Sequence, residues 1–344
     1  MPRIVLSDDT NAYTGRTLAE RPLGGTESSV IHLAAALARR GHQVTALTRT
    51  ADRTEHAGVE WAPLSSAPEL AGVDLHIATQ HPRLFGLIRR PRRLAVWLIW
   101  PVNNLRHYKR VPVMWRYRPV PVFASRWQAE TYSWLLPPIR DEIVIPLAVE
   151  DAWRGSGPRA EPPPPRAVYG SMPGRGLPWL LPLWQHRVLP QVPGAELHVL
   201  GVKEFGGDYG GGLPHLPWLD GLSEAARASV QVYPTLPRDE QRAVLRDSRV
   251  MLYRGHRSEA FCLSVAEAQA LGVPAVVGRI AVLPERVRDG ETGFIRDDPD
   301  GFSEAAVRLL RDDALWRRQH EASLAHQQGP SWDEVAARFE QALL

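Results

Sequence analysis

The sequence predicts an α/β protein of two domains, each built on a doubly wound sheet. Short apolar segments alternate with helical patterns along the chain, which is typical of βαβ units. The chain has 344 residues, enough for two domains. A proline-rich stretch, GSGPRAEPPPPR at 155–166, interrupts the alternation near the middle. We therefore predict domains at 1–150 and 167–328, a linker at 151–166 and a closing helix at 329–344.

The first half contains apolar strands and two helical patterns. TESSVIHLAAALARRG, at 26–41, predicts an amphipathic helix with Thr26 as its N-cap and Gly41 just past its end. RWQAETYSWLL, at 126–136, predicts a second helix. The predicted strands are RIVLS (3–7), HQVTALT (42–48), VDLHIAT (73–79), RLAVWLIW (93–100), VPVFAS (120–125) and EIVIPL (142–147).

The second half repeats the alternation after the prolines. Helices are predicted at 176–189, 238–248 and 263–271, the last ended by Gly272 and Pro274. The predicted strands are AVYGS (167–171), ELHVLG (196–201), VQVYPT (230–235), RVMLYRG (249–255) and PAVV (274–277).

Composition narrows the class of protein. The net charge of +3 is too small to favour a nucleic-acid partner. The single cysteine, Cys262, excludes an intramolecular disulfide framework and a cysteine-rich zinc site. No secretion pattern or apolar stretch of membrane-spanning length is present. We expect a soluble protein of a reducing compartment, the cytoplasm.

Two glutamates stand in an otherwise apolar segment, SEAFCLSVAEAQALGVPAVV at 258–277. Glu267 shares its helical stripe with apolar residues at i−4, i+3 and i+4. Glu259 precedes the helix, where backbone N–H groups are exposed. The alternative is that Glu267 is a solvated helix residue and that Glu259 caps the helix. An acid on an apolar stripe needs a polar partner, and a hydroxyl-rich ligand is one candidate.

Three loops after predicted strands could hold a ligand. Gly24 and Gly25 precede a helix, which suits a phosphate, although a simple turn with a helix cap explains them too. Arg175 follows a glycine-rich bend and could chelate phosphate oxygens, or be a surface arginine. His81 follows a strand end and could assist proton transfer, or be a polar loop residue.

A stretch at 89–134 mixes many arginines with tryptophans. Such a mixture can bind an anionic membrane surface or an acidic acceptor. A solvated basic face beside a tryptophan-rich core is the alternative.

With these segments in view, almost the whole sequence resembles the retaining glycosyltransferases of the GT-B type, family four. Glu259 and Glu267 are similar to its E-x7-E motif, followed by AQALGVPAVV. The GGTE turn, SRWQAE…IVIPLAVE, DGETGFI and the final SWDEVAARFEQALL match the family in order. The resemblance implies two Rossmann-like domains that face each other across a cleft. It also implies that the closing helix crosses back to the first domain.

The resemblance implies a role for each matched residue. Glu267 would accept hydrogen bonds from the donor ribose, and Glu259 would contact the donor sugar. Arg175 would hold the diphosphate, and His81 would lie near the reacting carbon. Residues beside the donor would be Gly24, Gly25, Ser171, Ala260, Phe261, Cys262 and Leu263. The implied donor is a UDP- or GDP-sugar as substrate, with no cofactor and no metal.

The sequence departs from the family at the donor loops. Ser171 stands near the position of a common arginine, and EAFC replaces the commoner EGFG. Arg254 or Arg257 could supply the missing charge. A phosphorylase, an epimerase or a catalytically silent nucleotide-sugar-binding protein therefore remain alternatives. The expected acceptor is a glycan, a lipid-linked glycan or a small molecule, with peripheral contact at the inner face of the membrane as a further hypothesis.

Overall fold

The structure is a computed structural model that describes residues 1–155, 157–202, 215–326 and 329–344. The chain forms two compact units. The first comprises Met1–Ala148 with Pro330–Leu344, and the second comprises Val149–Gly329. In the described part of the chain, every helix is too short or too polar to cross a bilayer.

The first unit is built on a largely parallel sheet. Its strands are β1 (Arg3–Ser7), β2 (Gln43–Thr48), β3 (Thr54–His56), β4 (Val59–Pro63), β5 (Leu75–Thr79), β6 (Arg93–Leu98), β7 (Val120–Phe123) and β8 (Ile143–Val144). Before the chain enters the second unit, its helices are α1 (Thr17–Glu20), α2 (Gly25–Arg39), α3 (Val111–Tyr117) and α4 (Arg126–Glu130).

The strand order of this sheet is β3-β4-β2-β1-β5-β6-β7-β8, and only the β3–β4 pair is antiparallel. The chain builds outward from β1 on one side and then from β5 on the other. The order therefore reverses between β1 and β5. All five residues of β5 are buried, as expected for a parallel strand covered on both faces.

The second unit contains a fully parallel sheet. Its strands are β9 (Arg166–Tyr169), β10 (Glu196–Val202), β11 (Val230–Pro234), β12 (Val250–Tyr253), β13 (Ala275–Val277) and β14 (Gly293–Ile295). Its helices are α5 (Leu177–Leu183), α6 (Pro217–Asp220), α7 (Glu224–Ala228), α8 (Arg238–Arg246), α9 (Leu263–Ala270), α10 (Leu283–Arg286), α11 (Pro299–Arg311) and α12 (Asp313–His326). The order β11-β10-β9-β12-β13-β14 is that of a dinucleotide-binding Rossmann sheet, and it reverses between β9 and β12.

The predicted fold class is confirmed, with local corrections. Helix α2 begins at Gly25 with Gly24 as its N-cap, so Thr26 lies inside the helix and the predicted cap was wrong. Helix α4 ends at Glu130, six residues before the predicted end, and the Tyr132 ring then packs on Phe123. Strands β3, β4 and β14 were not predicted, because each is short and lacks a clear apolar pattern.

The last helix, α13 (Trp332–Leu343), belongs to the first unit and packs on α2. Arg39 Nη2 lies 2.8 Å from Asp333 Oδ1, and the Phe339 ring packs edge-on against Trp97. A capping box fixes the helix start, since Ser331 and Glu334 bond to each other's backbone N–H. Local hydrogen bonds thus define where α13 begins, and apolar contacts hold it in place.

Ser331→Ala is expected to destabilise α13 by about 1 kcal/mol, because the backbone N–H of Glu334 loses its acceptor. Hydrogen exchange of the first-turn amides of α13 measures this loss directly. Ser65→Ala removes an exposed hydroxyl elsewhere in the same unit and serves as the control. Equal exchange rates in the two variants would contradict the capping role.

Candidate functional site

The carboxyl ends of β9 and β12 mark the switch point of the second sheet, where ligands bind in open α/β folds. The loop after β9 carries Arg175, and the loop after β12 carries Glu259. The Arg175 Nη1 group donates a hydrogen bond to Glu259 Oε1 over 2.9 Å. Two residues that are 84 positions apart in the sequence are therefore joined where a ligand is expected.

Glu259 has a second partner, the hydroxyl of Tyr253, which donates to Oε1 over 2.6 Å. Burial raises the pKa of Tyr253, so this hydroxyl keeps its proton and remains a donor. The side chain of Glu259 is 11% exposed and that of Arg175 is 36% exposed. Glu259 is thus a fixed carboxylate rather than a helix cap, while the guanidinium of Arg175 remains accessible to a ligand.

The loop before α9 is buried at Ala260, Phe261 and Cys262, and Leu263 begins the helix. Cys262 has φ +61° and ψ +67°, the left-handed conformation that glycine adopts without penalty. Burial raises the pKa of the Cys262 thiol, so it stays protonated and is not a nucleophile. Ser171 lies beside this loop, and its side chain opposes part of the burial effect on the pKa of Tyr253.

Glu267 is only 3% exposed, which rules out a solvated helix residue. It accepts a 2.6 Å hydrogen bond from Arg238 Nη2, and Arg238 Nε also donates to Glu150 Oε1 over 2.9 Å. The Arg238 guanidinium lies 4.1 Å from the centre of the Trp153 ring. Burial alone lowers the pKa of Arg238, but the charges of Glu267 and Glu150 outweigh it and raise this pKa.

We call Glu150, Arg238 and Glu267 the Arg238 triad, of which only Glu267 is fully buried. Sequence reasoning identified Glu267 and missed Arg238. The available signal was its place at the start of a predicted helix that follows a predicted strand, because such positions reach the same edge of the sheet.

Two further arginines stack on rings near the donor loops. The exposed Arg254 lies 4.8 Å from the Trp179 ring centre, and Arg286 lies 4.4 Å from that of Phe261. Burial lowers the pKa of Arg286. Whether Arg254 or Arg257 replaces the charge missing at Ser171 stays a prediction.

In the first unit, the switch point lies between β1 and β5, and it also carries a polar pair. Asp9 follows β1 and His81 follows β5, and His81 Nδ1 and Arg83 Nε both bond to the Asp9 carboxylate. Burial alone raises the pKa of Asp9, but the bonds from His81 and Arg83 outweigh it and lower this pKa. Asp9 is therefore an ionised, buried carboxylate that orients both side chains.

His81 is also connected to the glycine turn before α2. The Trp100 ring packs edge-on against His81, with ring centres 5.6 Å apart. Trp100 Nε1 donates to Thr26 Oγ1 over 3.0 Å, next to Gly24 and Gly25. The structure thus groups the predicted turn with the predicted histidine, through Trp100, which sequence reasoning placed only in the arginine- and tryptophan-rich stretch.

The sequence analysis anticipated no metal site. Within the described residues, no group of three or more His, Cys, Asp or Glu side chains is placed to hold a metal ion. The absence of a metal from the reaction stays a prediction.

Comparison with known proteins finds a family match within the second unit. The family model described as Glycosyl transferases group 1 matches residues 167–312. A D-inositol 3-phosphate glycosyltransferase of Thermobifida fusca is 34% identical over 143 residues, which are 40% of this chain and 32% of that protein. One from Streptomyces griseus is 32% identical over 142 residues, 40% of this chain and 29% of that protein. The chain thus matches about a third of the length of these two relatives.

Solved structures resemble the whole chain. Sucrose-phosphate synthase from Thermosynechococcus elongatus aligns with a TM-score of 0.75 at 16% identity, over 99% of this chain and 98% of that one. Anabaena HepE in complex with UDP-glucose aligns with a TM-score of 0.74 at 14% identity, over 99% of both chains. At such identities the likeness establishes the fold. The chain therefore has the GT-B fold, and residues 167–312 match the model of the group 1 glycosyltransferase family.

Proposed function

We propose that this protein is a retaining glycosyltransferase that moves a sugar from a nucleoside-diphosphate sugar to an acceptor hydroxyl without a metal ion. One observation carries the proposal. Within the segment matched by the group 1 family, Arg175 and Glu259 are joined at the switch point of a Rossmann sheet. A cation beside a fixed carboxylate suits a donor that has both a diphosphate and sugar hydroxyls.

The donor contacts follow from the same residues. Glu267 accepts hydrogen bonds from the ribose hydroxyls, and Glu259 accepts them from the sugar. A carboxylate offers about four acceptor positions, so bonding to Arg238 does not by itself exhaust Glu267. HepE has been solved with UDP and with UDP-glucose, which supports a UDP-sugar donor, with a GDP-sugar as the second choice.

In the proposed reaction, the bond from the anomeric carbon to the diphosphate oxygen breaks, and the acceptor oxygen bonds to that carbon. The acceptor hydroxyl gives up its proton, and the departing diphosphate is a base that can take it. Arg175 and the N-terminus of α9 stabilise the negative charge that develops on the phosphates. His81, oriented by Asp9, is the residue that the family resemblance assigns to the reacting carbon.

The support for the acceptor class comes from the names of similar proteins. The relatives above are named for transfer to D-inositol 3-phosphate, and one structural neighbour is named for the synthesis of sucrose phosphate. We propose a hydroxyl acceptor on a glycan, a glycolipid or a small natural product.

UDP is expected to stabilise the wild-type protein, and Glu267→Gln is expected to lose most of that effect because the ribose loses a charged acceptor. At a UDP concentration a hundredfold above Kd, the stabilisation would be about 2.7 kcal/mol. The measurement is a thermal-shift screen with UDP, GDP, ADP, dTDP and their sugar conjugates. Glu304→Gln, which changes an exposed glutamate in the same unit, is the control.

Failure of every nucleotide to stabilise a folded wild-type protein would overturn the donor assignment. If the reaction is independent of a metal, transfer is expected to persist in EDTA. If it is retaining, proton NMR is expected to show an unchanged anomeric configuration. Dependence on inorganic phosphate would indicate a phosphorylase, and epimer formation without an acceptor would indicate an epimerase. Nucleotide binding without turnover would favour a silent protein, for which Ser171 and the left-handed Cys262 are the support.

We also propose that the first unit touches an anionic membrane. A surface patch, here the Trp134 patch, consists of Trp115, Arg118, Trp134 and Leu135. Trp134 is 88% exposed and Trp115 is 42% exposed. Trp115 Nε1 donates to the Leu135 carbonyl over 2.9 Å, and the Arg118 guanidinium lies 5.5 Å from the Trp115 ring centre. Exposed tryptophan beside arginine is a composition that favours membrane interfaces.

Trp134→Ser is expected to weaken binding to phosphatidylglycerol vesicles severalfold, because a large apolar side chain no longer enters the interface. Cosedimentation at low salt measures the bound fraction. Trp218→Ser, at an exposed tryptophan of the second unit, is the matched control. No binding of the wild-type protein would reject the membrane proposal.

A further inference from the structure

A basic pocket in the first unit is lined by His81 and by five further residues that have no role in the reaction described so far. Its volume is about 250 Å³. The residues that line it are His81, Pro82, Arg83, Lys109, Arg110 and Val113. Three of these six carry a positive charge at neutral pH, and none of the six is acidic.

We propose that this pocket binds an anionic group of the acceptor, a phosphate monoester or a carboxylate. The assignment to the acceptor rests on the proposed function. The proposed charged donor contacts, Arg175, Glu259 and Glu267, belong to the second unit. His81, which lines the pocket, is the residue that the family resemblance assigns to the reacting carbon.

The pocket is built rather than formed by chance surface cations. Asp9, only 3% exposed, bonds to His81 Nδ1 and to Arg83 Nε, which fixes one wall. An arginine has five N–H donors, and the bond to Asp9 uses the one on Nε. The Arg83 side chain is 61% exposed, so its outer donors can meet an anion in the bidentate geometry that arginine favours.

The other cations come from a different part of the chain. Lys109 and Arg110 directly precede helix α3, so cationic side chains approach the pocket from two separate loops. Pro82 and Val113 add apolar surface between them. A volume of about 250 Å³ lies just below the range of about 300–1,000 Å³ of sites for drug-sized ligands. The chemistry and the size together fit one charged group and part of an attached sugar ring.

Isothermal titration with glucose 6-phosphate, glucuronate and glucose, without nucleotide, tests the pocket. At least one of the two anions is expected to bind at millimolar concentration, and glucose is not. Lys109→Gln is expected to weaken anion binding about tenfold, because a charge-assisted hydrogen bond is lost. Arg92→Gln changes an exposed arginine of the same unit outside the pocket and is expected to bind as the wild type does. Equal affinity for glucose and both anions, no anion binding, or an unchanged affinity in Lys109→Gln would overturn the proposal.

Two comparisons then distinguish a phosphate from a carboxylate and a lipid phosphate from a soluble one. Preference for glucose 6-phosphate over glucuronate indicates a phosphate. Competition by vesicles of phosphatidic acid, a lipid phosphate monoester, indicates a lipid phosphate if it depends on Lys109, and the absence of competition indicates a soluble one. Anion binding without nucleotide stabilisation would support the pocket and contradict the proposed function. Nucleotide stabilisation without anion binding would support the proposed function and contradict the pocket.

Discussion

Arg175→Met is expected to lower kcat for sugar transfer about 100- to 1,000-fold, because the departing diphosphate loses a preorganised cation. Met is also an unbranched side chain, so the substitution chiefly removes the positive charge of Arg175. Steady-state kinetics with a UDP-sugar and a saturating acceptor measure the effect. Arg175→Lys restores a charge without the planar fork and is expected to recover part of the rate.

Two controls make this result specific. Arg187→Met removes an exposed arginine of the same unit that pairs with Asp300 at the surface, and it is expected to leave kcat unchanged. An effect confined to KM would mean that Arg175 binds the ground state and the transition state equally. A loss in kcat below tenfold would contradict the assigned role.

Arg238→Met is expected to destabilise the second unit by about 3 kcal/mol, because it leaves Glu267 and Glu150 without their shared cation. The side chains of Glu267 and Arg238 are only 4% and 21% exposed, so water cannot fully replace the lost bonds. Donor affinity is expected to fall as well, since Arg238 positions the carboxylate proposed to bind the ribose.

A chain of two units need not unfold in one transition, so the measurement must be local. Hydrogen exchange of the α8 and α9 amides in increasing urea reports the stability of this region. Arg246→Met, on the exposed side of the same helix, is the control. A loss below 1 kcal/mol in the free energy of unfolding would show that the Arg238 triad contributes little to stability. Recovery of donor affinity in Arg238→Lys, without full recovery of stability, would support a positioning role.

Much of the fold could be predicted from local patterns. Apolar segments that alternate with amphipathic ones predicted the βαβ organisation of both units, because periodicity follows directly from burial. Gly41 and Gly272 were predicted just past their helices, and both have positive φ. Strand β14 was not predicted, and β8 spans only two residues of the strand predicted at 142–147, because pairing with a neighbouring strand decides how far such brief segments are extended.

The sequence by itself identified the acids and glycines that we propose for a nucleotide-sugar site. Glu259 and Glu267 could be singled out because they interrupt an apolar run. Only the tertiary structure decided what these acids contact. Arg175 meets Glu259 across 84 positions, and His81 meets Asp9 across 72. The physical reason is that ion-pair partners are chosen by proximity in space, and that proximity follows from the order of strands in each sheet, which no local pattern of residues specifies.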